Sequence, residues 1–179
     1  MTTSPDDPGP SAGPRLTRVE RARTRIPATA LRDPVHLLAL GFGSGLAPVA
    51  PGTFGSLVGL ALALVVLQAG WWIAAVAALF ASVAGVWICG ASARRLGVHD
   101  HPAIVWDEIA GMMLVMLAAP TTWWGAALAF ALFRLFDVWK PWPIREVDHG
   151  ISGGAGIMLD DILAALMAAA VLLLIRRYT

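Results

Sequence analysis

Five acidic residues stand where they could do chemistry: Asp107 and Glu108, Asp137, and Asp160 and Asp161. Each sits just inside the end of an otherwise apolar run, with Arg134 and Lys140 between them. Ionisable groups within apolar spans are costly and mark functional sites by default. One such pair would simply mark a water boundary. Three apolar runs repeating it at the same end point to a site. Carboxylates alone select a hard cation, and Mg²⁺ takes oxygen ligands while keeping waters and substrate phosphate. Cys89 is the sole cysteine, and no Cys/His spacing favours zinc. Adjacent helical residues differ by about 100° in direction. One member of each acidic pair is therefore expected to ligate while the other orients water or a neighbour.

Arg134, Asp137 and Lys140 are spaced by three and share a helix face if the helix runs that far. Arginine offers a planar fork to phosphate; an Arg–Asp structural ion pair is the plainer use. Lys140 precedes Pro141, which ends the helix and presents the ammonium at the boundary. The uncharged segment 41–56, GFGSGLAPVAPGTFGS, leads directly into a helix. Its glycines, Gly52 among them, allow close backbone approach. A helix N-terminus binds anions, and Thr53 and Ser56 add hydroxyl donors or cap the helix. A packed connector is the alternative. His99-Asp100-His101 is read as a loop, with a metal site the lesser alternative, and His36 and His149 as structural or solvated.

The elements that position these groups follow from charge. From Pro34 to Ala93 there is no Asp, Glu, Lys or Arg, which is more than the roughly 20 apolar residues that one bilayer crossing needs. Two spans are expected there, Ser56–Gln68 and Trp71–Ser92, joined by Ala69-Gly70. Three more follow: Ile104–Ala119, Trp123–Val138 and Ile157–Ile175. The expected fold is all-α: an integral membrane bundle of about five short transmembrane helices with a Gly/Pro-rich loop before the first. Residues 1–33, rich in Arg and Pro, read as a disordered cytoplasmic tail, and 34–179 as the membrane-embedded domain. With the N-terminus in the cytoplasm, all the basic residues except Arg176 and Arg177 lie inside, as the positive-inside rule requires. All five carboxylates then converge on the cytoplasmic face. Trp71, Trp72, Trp123 and Trp124 fall at the outer boundary as an aromatic belt.

Composition agrees with a membrane protein. Hydrophobic residues make up 58 % and charged residues 14 % of the chain, too few charges to coat a soluble surface. A net charge of +1 offers no footprint for nucleic acid. A small transporter or ion-binding protein using the carboxylates is the rival class. The carboxylates gather at one face, however, and no internal repeat is visible.

Four stretches together are specific: GFGSGLAPVAPGTFGSL (41–57), HDHPAIVWDEIAGM (99–112), FRLFDVWKPWPI (133–144) and GGAGIMLDD (153–161). The chain resembles the bacterial phosphatidylglycerophosphatase A family in these motifs. The resemblance implies a multi-pass enzyme of the bacterial inner membrane with its site on the cytoplasmic face. The implied activity is Mg²⁺-dependent removal of the phosphomonoester of phosphatidylglycerophosphate, giving phosphatidylglycerol and phosphate. Carried over motif by motif, the metal carboxylates are Asp107, Glu108, Asp137, Asp160 and Asp161. Phosphate contacts map onto Arg134, Lys140 and the loop holding Gly52, Thr53 and Ser56. Water activated by the metal is the favoured attacking group, with an Asp nucleophile the alternative. Ala164-Ala165 stands where the family leads one to expect Ala-Gly.

Overall fold

A computed structural model describes residues 26–97, 101–142, 144 and 153–178. Among these, every regular element is helical. A 3₁₀ turn, Ala28–Arg32, precedes the short helix α1, Pro34–Ala39. A second pair of tight turns, Gly41–Leu46, leads to α2, Pro51–Leu67. Then come α3, Trp71–Leu96; α4, Trp106–Met116; α5, Trp123–Trp139; and α6, Gly154–Tyr178.

The five expected spans are all present as helices, with shifted ends. Helix α2 begins at Pro51, five residues before Ser56, because a proline's fixed φ suits the first helical position. Helix α3 runs on to Leu96, placing Arg94 and Arg95 in its last turn, where cations offset the helix dipole. Gly97, at φ 68°, ends it in the left-handed conformation. Helix α4 is shorter than the expected 104–119. Its 11 residues rise only about 16 Å, well under a full bilayer crossing. Helices α3 and α6 are the two long and apolar enough to cross a membrane, and α2 is a shorter apolar helix.

The short α4 sits at the centre of the bundle, packed against α2, α3 and α6. Ile109, Ala110, Met112 and Val115 on it are fully buried. Glycines permit this tight arrangement where backbones meet. A Cβ on Gly59 would lie 2.6 Å from the Ile109 carbonyl oxygen of α4, and one on Gly154 would strike the Val86 carbonyl of α3. Small residues that let helix backbones touch are what membrane bundles use in place of a hydrophobic driving force. Ala164 and Ala165 are both buried in α6, so the departure from Ala-Gly is accommodated within the packing. The outward face of α3 carries Trp72, Val76, Leu79, Phe80, Val83 and Trp87, all exposed. An apolar stripe that long belongs against lipid or another apolar surface.

Of the segment 1–33, residues 26–33 are described and pack at the foot of α1. The Asp33 side chain accepts from the Val35 amide at 2.8 Å, capping α1, and pairs with Arg95 at 2.5 Å. Desolvation raises the Asp33 pKa, but the Val35 amide and the Arg95 guanidinium outweigh it and hold the carboxyl below its ordinary value. His36 and Ser92 join α1 to α3 through a buried 2.9 Å hydrogen bond, which gives His36 the structural part expected of it. His99, Asp100 and His149 lie outside the described residues. His101 is buried, and its Nδ1 accepts from the Ala103 amide at 3.1 Å. The belt tryptophans Trp71, Trp72, Trp123 and Trp124 are exposed at the end away from the carboxylates.

Candidate metal and phosphate site

The site forms where the start of α2, the start of α4, the last turns of α5 and the second turn of α6 meet. Trp106 fixes the start of α4. Its indole Nε1 donates to the Ala81 carbonyl of α3 at 3.0 Å, and its ring packs edge-on against Phe42. Sequence reasoning passed over Trp106; the available signal was an aromatic residue directly before the acidic pair. Asp107 and Glu108 follow in the first turn of α4, where negative charge is stabilised by the helix dipole.

Asp107, Glu108 and Asp161 each bring a ligand atom within 4.8 Å of the others. Both members of the first pair thus reach one cluster, against the expectation that neighbours 100° apart would divide the work. Asp107 folds back so that its Oδ1 accepts from the Glu108 amide at 3.1 Å, and Asp161 of α6 arrives beside both. The second pair does divide. Asp161 turns to the cluster and Asp160 turns to Lys140, whose Nζ lies 2.6 Å from Asp160 Oδ2.

Two buried oxygens of the cluster, Glu108 Oε2 and Asp161 Oδ2, have no hydrogen-bond partner among the described residues. Leaving such groups unmatched in an apolar bundle is costly. An all-carboxylate donor set with unmatched oxygens fits a hard divalent cation such as Mg²⁺.

Arg134 NH1 pairs with Asp137 one turn on and lies 3.4 Å from Ser56 Oγ. Asp137 in turn stands beside Asp161 and within electrostatic reach of Glu108. Asp137 is therefore adjacent to the cluster but turned to Arg134. Lys140 does not continue the face of Arg134 and Asp137. It terminates α5 in the left-handed conformation, φ 43°, because the following Pro141 disfavours helical geometry. That strained backbone swings the ammonium across to α6 and Asp160.

The Gly-rich segment meets the cluster from the α2 side. A Cβ on Gly52 would strike Glu108 Oε1 and lie 3.2 Å from Arg134 NH1. The position therefore takes glycine alone without displacing both groups. Ala50, just before it, holds φ 48°, a strained conformation for a residue with a side chain. The buried Ser56 hydroxyl donates to the Gly52 carbonyl at 2.8 Å and accepts from Arg134, so it ties Arg134 to the loop. Thr53 is half-buried, and its amide donates to the Ala50 carbonyl at 2.9 Å. Its side chain is not among the groups that meet the carboxylates.

The phosphatidylglycerophosphatase A family model matches residues 37–176. The chain is 42 % identical over 160 residues to phosphatidylglycerophosphatase A of Escherichia coli (strain K12), covering 89 % of this chain and 90 % of that protein. It is 46 % identical over 148 residues to phosphatidylglycerophosphatase A of Haemophilus influenzae, covering 82 % and 91 %. It is also 38 % identical over 137 residues to a putative phosphatidylinositol-3-phosphatase of Bacteroides thetaiotaomicron, covering 72 % and 84 %. No solved structure matches. With the carboxylate cluster, Arg134 and Gly52 all inside the matched region, the chain belongs to the phosphatidylglycerophosphatase A family.

Proposed function

We propose that the protein is a Mg²⁺-dependent phosphatidylglycerophosphatase of the bacterial inner membrane. It hydrolyses the phosphomonoester of phosphatidylglycerophosphate to phosphatidylglycerol and phosphate, with α2 to α6 crossing or entering the bilayer and the site at its cytoplasmic end. The observation that carries this reading is the cluster of Asp107, Glu108 and Asp161, with two unmatched buried oxygens, set beside Arg134. The names of the relatives supply the substrate.

Asp107, Glu108 and Asp161 would hold the ion, with Asp137 at its edge. Mg²⁺ supplies polarisation of phosphoryl oxygens and acidification of water when bound. The rest falls to the chain. Arg134 spends NH1 on Asp137 and Ser56, which orients the guanidinium plane and turns its remaining edge to phosphate. There it stabilises charge developing on the equatorial oxygens. Gly52 lets the Glu108 carboxylate and Arg134 come close to the backbone at the start of α2. Glu108 Oε2 and Asp161 Oδ2 are acceptors able to receive hydrogen from the attacking water. Lys140 pairs with Asp160 and offsets part of the negative charge beside Asp161. The apolar helices around the site keep bulk water away and leave the acyl chains in lipid.

The test is phosphate release from phosphatidylglycerophosphate by purified protein in detergent micelles. Release with Mg²⁺, abolished by EDTA and restored by added Mg²⁺, is the expected result. No release with any divalent cation, or full release in EDTA, would overturn the reading.

A further inference from the structure

The end of the bundle away from the carboxylates is marked by groups that avoid hydrocarbon. Arg176 and Arg177 lie in the last turn of α6, Gln68 follows α2, and Thr121 and Thr122 precede α5 beside Trp123 and Trp124. All of these are exposed.

From that end, the charge-free stretches differ in length. On α3 no charge occurs from Trp71 to Ala93, a rise of about 33 Å. On α6 the stretch between Asp161 and Arg176 rises only about 20 Å. On α5 the stretch from Trp123 to Phe133, just ahead of Arg134, rises about 15 Å. A bilayer's hydrocarbon core is roughly 30 Å thick. Helix α3 matches that thickness, whereas α5 and α6 bring charge to a depth where lipid tails would lie. Helix tilt would only lower these heights further.

The surface on the short side is nevertheless apolar up to a definite level. Phe54 and Leu57 on α2 are exposed, as is Leu135 on α5. Val138 and Trp139 in the last turn of α5, and Trp142 just beyond it, are 72 %, 68 % and 76 % exposed. Trp139 stands about 24 Å from Trp123 along α5. Tryptophans at both ends of a helix are how membrane proteins mark the two interfaces. Along the same helix Arg134 lies about 8 Å inside the level of Trp139, and Asp137 about 3 Å inside it. Gly52 and Ser56 of α2 meet Arg134 at that depth. The short side of the bundle is therefore the side that carries the groups read as binding phosphate.

We propose that the α2–α5 face fits a locally thinned bilayer, and that the thinning brings the lipid phosphate down to Arg134. The proposal rests on the phosphatase reading above and adds to it the membrane surface from which the substrate is taken. The band between Trp123 and Trp139 falls short of a full hydrocarbon core by roughly 6 Å. A short apolar band is accommodated by thinning the bilayer, at a cost that grows with each ångström of mismatch. Turnover then depends on the thickness of the host lipid, although no group in the site changes. Trp139 and Trp142 hold the interface at its lowered level, so their removal lets a thick bilayer rise over the site.

The test reconstitutes the full-length protein into fluid vesicles of monounsaturated phosphatidylcholines with fourteen-, eighteen- or twenty-two-carbon chains. Each holds the same trace of phosphatidylglycerophosphate of one chain length, with substrate and Mg²⁺ on both sides. Every rate is divided by the rate after the same vesicles are dissolved in detergent, which corrects for the amount of active protein. The wild-type ratio is expected to fall on the order of tenfold from the fourteen- to the twenty-two-carbon host, because the mismatch spans several ångströms. The double variant Trp139→Ala/Trp142→Ala is expected to keep the wild-type rate in detergent and to fall more steeply with thickness. A ratio that is flat, or that rises with thickness, would overturn the thinned surface. A fall of the same size in the double variant would overturn the part given to the two tryptophans. Protein inactive in detergent as well as in every vesicle would refute the phosphatase reading itself, and the proposal with it.

Discussion

Gly52→Ala is the sharpest probe of the site, because a single methyl group reaches two of its side chains. The added Cβ would overlap Glu108 Oε1 and lie 3.1 Å from Glu108 Cδ and 3.2 Å from Arg134 NH1. Arg134 needs to give only a few tenths of an ångström, whereas the Glu108 carboxylate must retreat by roughly 1 Å. A misplacement of about 1 Å in a positioned group costs on the order of 100-fold in rate. The fold should tolerate the change. Overpacking costs about 1–3 kcal/mol, but Ala is favoured over Gly in a helix by about 1 kcal/mol, and Gly52 lies in the first turn of α2. The net change in stability is therefore about 0–2 kcal/mol. Gly59→Ala, on the same helix, is the control. Its Cβ would press on the backbone of Ile109, which cannot move aside as a side chain can, so it should lower the thermal midpoint more than Gly52→Ala does. The assay is kcat/KM for phosphate release, with thermal unfolding of each variant in the same detergent. Gly52→Ala with wild-type kcat/KM would refute the placement of Glu108 and Arg134 against α2.

Further outcomes follow from the same geometry. Asp161→Asn should cost at least about 100-fold in kcat, whereas Asp160→Asn, which removes the partner of Lys140, should act mainly on stability, by about 1.5–3 kcal/mol for a charge-assisted hydrogen bond. Equal effects on kcat would show that both carboxylates serve the cluster alike. Arg134→Lys should lose at least about tenfold in kcat/KM, because a point charge cannot both pair with Asp137 and present a fork to phosphate; full turnover by the lysine variant would remove that role. The Asp33 carboxyl is held below its ordinary pKa. Its cap and its pair with Arg95 therefore stabilise the fold above the unfolded-state pKa, and that contribution is lost as pH falls through the lower folded value. Thermal midpoints of wild type and Asp33→Asn should differ at neutral pH and converge in acid. A gap that persists there would mean that the cap does not depend on charge.

Helix identity and the end of the bundle that carries the chemistry were legible in the residue order. Charge-free runs between Pro34 and Ala93 demand helices in an apolar setting. Carboxylates at three run ends require a common face once the chain is threaded back and forth. The four motifs carried the family. Other features depend on packing between segments distant in sequence, and no local pattern encodes them. Helix α4 could not be recognised as a short central helix, because its apolar run continues through Leu117 and Ala118 while the backbone stops being helical. Asp107 and Glu108 share a cluster only because Trp106 is pinned to Ala81 and Asp161 arrives from α6 at the same depth. Lys140 looked like a third member of the Arg134 face, but a left-handed residue before Pro141 sent it to Asp160 instead. Gly52 could be read as permissive of close approach, but what approaches it, Glu108 and Arg134, is set by two helices that begin and end more than fifty residues away along the chain. Sequence periodicity dictates which residues become helix and which ends are polar. Which side chain faces which is decided by helix crossings, and these depend on the small residues and buried side chains of all the helices at once.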